Sequence, residues 1–227
     1  MKPTVIVILG PTASGKSAYA IELAKKYNGE VISADSRQIY KGLDIGTGKV
    51  TKEEMQGIPH YLLDIKDPDE IYSATEWKKD AEEKIKEILA KKKLPIICGG
   101  TGYYIDALVK NNEYPDAPEL DVVPELPPGL DIDYKNPRKV KRAAELIAHY
   151  GHIPPVISKE SPYHFIQYGI DRTDLRERIE KRFLARMEAG MINEARLLHA
   201  NGLSYERMDE LGLEYRYLAQ YLKKEIT

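Results

Sequence analysis

Thr4 to Leu9 (Thr-Val-Ile-Val-Ile-Leu) carry no charged position, the pattern of a strand covered on both faces. From Gly15 to Tyr27 the period lengthens to that of a helix, with Ala20, Leu23, Ala24 and Tyr27 on one side. Residues 30–34 predict a second strand ending at Asp35, and His60 to Ile65 a third. Ser73-Ala74-Thr75-Glu76 is a capping box, in which the serine accepts from the Glu76 amide while the glutamate reaches back; it opens a helix to about Lys92. Residues 94–98 form another buried strand, running into Gly99-Gly100-Thr101-Gly102. Strands alternating with helices predict an α/β fold with a parallel sheet and crossover helices.

After about Val109 the pattern changes. Pro115, Pro118, Pro124, Pro127 and Pro128 exclude a helix from 113–129, leaving an irregular loop or linker. Asn136-Pro137 then starts a helix that Gly151 terminates. Tyr163 to Ile170 reads as one more strand. Asp171 to Ala189 reads as a helix with Leu175, Ile179 and Phe183 spaced by four, followed by helical stretches at 191–200 and 205–223. The predicted parts are therefore a core at 1–108, a Pro-rich link at 109–135 and a mostly helical part at 136–227 that completes the core.

The 227 residues carry 34 basic and 36 acidic side chains, a net charge of −2, so a nucleic-acid partner would have to be met by local clustering of charge. One cysteine, Cys98, excludes an internal disulfide and reads as a buried, inert thiol. The apolar run at the start is too short for a signal core or a membrane span, which predicts a cytoplasmic protein with no membrane partner.

Between the first strand and the first helix, Gly10-Pro11-Thr12-Ala13-Ser14-Gly15-Lys16-Ser17 fits the P-loop pattern without a mismatch. In such a loop, inward backbone N–H groups and a helix N-terminus hold phosphates, Lys16 adds a mobile charge and Ser17 offers a hydroxyl to Mg²⁺. The loop specifies a diphosphate group, and leaves the reaction open. Asp64, after Tyr61-Leu62-Leu63, is either a metal-orienting carboxylate or a strand-end turn residue. Asp35, at the carboxyl edge of a parallel sheet, is either a base or a turn-capping residue.

Taken together, these motifs resemble the tRNA dimethylallyltransferase family: the P-loop, Ile32-Ser-Ala-Asp-Ser-Arg-Gln-Ile-Tyr40, Asp44-Ile-Gly-Thr47, Pro59-His60, Leu63-Asp64-Ile65, Tyr72-Ser-Ala74 and Gly99-Gly-Thr-Gly-Tyr103 come in the family's order. The segments Asn136-Pro-Arg-Lys-Val-Lys-Arg-Ala143 and Arg178-Ile-Glu-Lys-Arg-Phe183 are similar to it as well. The resemblance implies a P-loop-type sheet flanked by helices, and transfer of a dimethylallyl group from dimethylallyl diphosphate to N6 of adenosine 37, beside the anticodon of tRNA. It implies Asp35 as the base, with Lys16, Thr12, Arg182 and Mg²⁺ around the departing diphosphate. It further implies tRNA contacts from Asp35, Ser36, Arg37, Gln38 and Thr101, and from Arg138, Lys139, Val140, Lys141 and Arg142, in a monomer gripping the anticodon arm.

Two departures accompany the likeness. Members of the family carry a longer helical insertion where this chain has 109–135, and a basic segment beyond the place where it reaches Thr227. A shortened member is therefore expected, with a reduced grip on RNA. A free-nucleotide prenyltransferase, a small-molecule P-loop kinase and a non-catalytic RNA-binding module are the competing readings. Arg178, Arg182 and Arg186, spaced by four, read as a row pairing with acids such as Glu177, with Arg182 alone given a phosphate role by the resemblance. Among the 16 tyrosines, Tyr103 and Tyr104 are the candidate stacking platforms for bases.

Overall fold

A computed structural model describes residues 1–226. The chain divides into two compact units, Met1–Val109 with the chain from Ser161 onward, and Lys110–Glu160. In chain order the elements are β1 (Thr4–Leu9), α1 (Lys16–Tyr27), β2 (Gly29–Ser33), α2 (Lys52–Met55), β3 (His60–Tyr61), α3 (Ala74–Ala90), β4 (Leu94–Gly99), α4 (Gly102–Val109), β5 (Asn112–Glu113), α5 (Pro137–Tyr150), β6 (Ile157–Ser158), β7 (His164–Gly169), α6 (Leu175–Glu188), α7 (Met191–Ala200), α8 (Tyr205–Glu210) and α9 (Leu213–Leu222).

In the first unit, strands in the order β3-β2-β4-β1-β7 make a parallel sheet. The alternation of β1 is legible in its two faces. Val5 and Val7 join the larger core with Ile32, Ile97, Trp77, Ile85 and Ile88, while Ile6 and Ile8 join Ala20, Ala24, Val31, Ile96 and Cys98 under α1. The capping box at Ser73 is present and opens α3 as its sequence predicts. From the C-terminal helices, Met191, Ala195, Met208, Tyr215 and Leu218 pack into the larger core. Among the described residues no helix is long and apolar enough to cross a membrane.

Several expectations are corrected. The third strand stops at Tyr61 rather than Ile65, because Leu62 and Asp64 have positive φ (59° and 53°) and the chain turns away from the ladder. The stretch 205–223 is two helices, broken at Gly212, whose φ of 124° no helix can contain. The predicted helix from Asp171 starts only at Leu175. α2 and α4 were not expected, although Thr51-x-x-Glu54 is a second capping box. The part expected to run as one from 136 onward is divided: α5 lies in the second unit and α6 to α9 in the first.

The second unit has β5 paired antiparallel with β6, and α5, capped by Asn136 and closed by Gly151 as predicted. The residues around Pro115 and Ala117 are held by the Arg142 guanidinium, whose NH2 donates to Pro115 O at 2.7 Å and whose NH1 donates to Ala117 O at 3.2 Å.

A buried carboxylate locks the sheet away from the site. Glu30, 2% exposed on β2, accepts from Lys93 Nζ (2.7 Å), Lys91 Nζ (3.0 Å) and Tyr61 Oη (2.6 Å). Burial alone would push its pKa up, yet the bonds from Lys93, Tyr61 and Lys91 hold it at about 2. The folded pKa lies below the unfolded one, so this stabilisation is complete above about 4.5 and is lost as pH falls towards 2. Glu30→Gln is expected to cost roughly 1–3 kcal/mol at neutral pH in urea unfolding. It should also flatten the acid limb of the stability profile; a variant that kept the wild-type limb would refute the assignment.

Candidate active site

β1 delivers the phosphate loop to the carboxyl edge of the sheet. Gly15, at φ 96°, lets the chain turn into α1 as its N-cap, and Lys16 is the first helical residue. Lys16 Nζ donates to Pro11 O at 2.7 Å, folding the side chain back over the loop. Ser14 is 1% exposed and its Oγ has no partner among the described residues. A buried hydroxyl left unpaired inside a glycine-flanked cradle suits a loop built around a polar guest. Ser17 lies exposed in the first turn of α1, hydrogen-bonded to the Cys98 thiol, whose pKa burial pushes up to about 11.

Asp35 follows β2 on the same edge. Its Oδ1 accepts from Arg37 N (2.9 Å) and Gln38 N (3.3 Å), while Oδ2 has no hydrogen bond among the described residues. The turn-capping role and an open carboxylate oxygen thus coexist on one side chain. β4 lies between β1 and β2, and Gly99 at its end is required by contact: a Cβ there would sit 2.1 Å from Ala34 O. Thr101 then fastens the Gly-Gly-Thr-Gly turn to the residues that follow β2. Its N–H donates to Ala34 O (3.1 Å) and its Oγ1 accepts from Ser36 N (3.0 Å).

The third contribution comes from α6. Arg178 Nε donates to Ala13 O of the phosphate loop at 2.8 Å, Arg182 NH2 to Gly48 O at 2.7 Å, and Arg186 NH1 to Gly46 O at 2.7 Å. This corrects the expected pairing of Arg178 and Arg186 with acids of their own helix: the row spans from the phosphate loop to the segment after Leu43. Arg186 also forms an ion pair with Glu214 at 3.7 Å. Gln38 Nε2 reaches Gly48 O at 3.5 Å, so the turn after β2 and α6 meet at one carbonyl.

The charges of these three parts act on one another. Burial lowers the Lys16 pKa, Cys98 and Asp35 oppose the shift, and Arg182 adds to it. Burial likewise lowers Arg182, with Arg186 and Arg178 adding and Glu54 and Asp35 opposing. The Asp35 carboxylate thus acts on two desolvated cations, Lys16 and Arg182.

Other expected residues are placed differently. Asp64, together with Asp44, pairs with Lys49, whose side chain is 6% exposed and also donates to Tyr40 O at 2.8 Å. Tyr104 is no platform for a base, being buried and stacked on Trp77 (5.1 Å between centroids), whereas Tyr103 is 63% exposed. On α5, Arg138 and Lys139 are exposed and Val140 half-buried, but Lys141 pairs with Glu119 at 3.1 Å and Arg142 with Glu145 at 3.0 Å. Thr12 is exposed on the phosphate loop.

Comparison with known proteins adds a family to this geometry. A sequence model described as IPP transferase matches residues 38–127 and 129–227. The chain is 39% identical over 250 residues to tRNA dimethylallyltransferase 2 of Treponema denticola, covering 99% of this chain and 83% of that one. It is 41% identical over 248 residues to tRNA dimethylallyltransferase of Streptococcus sanguinis, covering 100% and 82%. The crystal structure of the full-length tRNA isopentenylpyrophosphate transferase of Bacillus halodurans superposes with a TM-score of 0.76 at 32% identity, over 100% of this chain and 79% of that one.

Proposed function

Because the chain belongs to the IPP transferase family, we propose that it transfers a dimethylallyl group from dimethylallyl diphosphate to N6 of adenosine 37 in the anticodon arm of tRNA, releasing diphosphate. The observation that carries this reading is that the phosphate loop after β1 and Asp35 after β2 share one carboxyl edge of the sheet, where Arg178 and Arg182 of α6 bond to Ala13 O and Gly48 O. A carboxylate with an open Oδ2 beside the loop serves an incoming nucleophile that must lose a proton, and the family supports the adenosine amine as that nucleophile.

The exocyclic amine of adenosine is a weak nucleophile, since its lone pair is delocalised into the purine. As N6 bonds to C1 of the donor, the C1–O bond breaks and its electron pair leaves with the diphosphate. The N6 proton passes to Asp35 Oδ2. The leaving group would gain charge against the backbone N–H groups of the loop other than Pro11, with Lys16, Thr12 and Arg182. Ser17, in the first turn of α1, would hold a Mg²⁺ beside the diphosphate, and the ion would neutralise charge on that group. The base must leave the anticodon stack to reach this edge, where Ser36, Arg37, Gln38 and Thr101 would receive it. Arg138 and Lys139 on α5 are the exposed cations for the RNA backbone.

Incubation with labelled dimethylallyl diphosphate and tRNA should move label into tRNA at N6 of the adenosine. Label entering AMP instead, or phosphate moving from ATP to a small acceptor, would overturn the reading.

A further inference from the structure

The segment Asp44–Gly48 is shaped by a side chain that the reaction itself does not touch. Glu194, on α7, accepts at Oε2 from Asp44 N (3.0 Å) and Ile45 N (2.7 Å), and at Oε1 from Gly46 N (2.9 Å) and Tyr215 Oη (2.6 Å). A carboxylate receiving three consecutive backbone N–H groups behaves as a built-in anion in a nest of amides. With those N–H groups drawn to Glu194, the carbonyls of Gly46 and Gly48 take Arg186 and Arg182. The fit is close on the far side too, where a Cβ on Gly46 would lie 2.6 Å from the Tyr215 ring and hydroxyl.

We propose that Glu194, held by Tyr215, is a positioning residue for the diphosphate site: it fixes Asp44–Gly48 so that the Gly48 carbonyl aims the Arg182 guanidinium at the anion in the phosphate loop. The proposal rests on the reading of that loop as a diphosphate site. Arg182 carries the effect because its guanidinium is packed on Gly48, bonding the carbonyl that Gln38 Nε2 also reaches and filling the space a Cβ there would need. Without Glu194, three amides compete for other acceptors and the Gly48 carbonyl loses its fixed direction, leaving a long side chain free to leave the site.

Glu194→Gln keeps the shape but turns an NH2 group towards the donors the carboxylate satisfied; Tyr215→Phe removes one bond and keeps the ring. Titration of inorganic pyrophosphate in the presence of Mg²⁺, on wild type, Glu194→Gln, Tyr215→Phe, Arg182→Gln and the double variants, tests the idea without requiring prenyl transfer. Glu194→Gln is expected to weaken binding by about tenfold and Tyr215→Phe by a few-fold, of the order of one charge-assisted hydrogen bond. In the Arg182→Gln background neither substitution should weaken binding further. Pyrophosphate bound as in wild type by both single variants, or the same loss with Arg182 absent, overturns the proposal. Should Glu194→Gln not fold, Tyr215→Phe alone decides. Intact coupling in a protein that moves no label into tRNA would count against the transferase reading and leave this one standing.

Discussion

Asp35→Asn is expected to lower kcat for prenyl transfer by about 10²–10⁴-fold, the range for a positioned general base, while dimethylallyl diphosphate binds as before. The substitution is chosen for what it keeps. Asn retains an Oδ1 that accepts from Arg37 N and Gln38 N, so the turn after β2 stands and a loss of rate cannot be put down to its collapse. What changes is the other atom, from a carboxylate oxygen that takes a proton to an amide that does not. Single-turnover transfer with a separate donor titration checks both halves. Near-normal turnover would remove Asp35 from the mechanism. Asp35→Ala should be equally inactive and also less stable.

Lys16→Ala is expected to raise the barrier by roughly 2.7–4 kcal/mol, the usual cost of one donor around a developing negative charge, and to weaken pyrophosphate as well. Its effect on the free protein should run the other way. Burial lowers the Lys16 pKa, so the folded state disfavours the ammonium relative to the unfolded chain. Removing the charge relieves that penalty, and the Tm without ligand should hold or rise while activity falls. A variant with lower Tm and unchanged turnover would make Lys16 a structural residue. A side chain that weakens the fold and serves the reaction is the usual trade at functional sites.

The parts of this site legible from sequence are those written in neighbouring residues. The phosphate loop needs only eight positions between a strand and a helix, and the capping box at Ser73 needs four; both came out as read. The sheet followed from β-branched runs, since a parallel strand buried on both faces leaves few alternatives for Val-Ile-Val-Ile. Legibility ended where a distant partner decides. Leu62-Leu63 looked like strand, but Asp64 turns out to pair with Lys49, and the backbone takes two positive φ values there. The arginine row of α6 was visible as a row, yet its acceptors are carbonyls 134 to 165 residues earlier, which no helical spacing announces. Glu194 was missed for the same reason: a lone acid after Asn193 gives no sign of three amides 148 to 150 residues away. Arg142 was read by its family match as an RNA contact, whereas it holds the backbone at Pro115 and Ala117.

The strand order has a metric meaning. β4 lies between β1 and β2, so the phosphate loop and Asp35 spring from strands two places apart, which sets their bases roughly 9–10 Å from each other. That interval is a ruler cut into the backbone, with Gly99 pared to a hydrogen so that the middle strand does not crowd it. On the reading proposed above, a short branched alkyl unit would leave one mark for an amine arriving near the other.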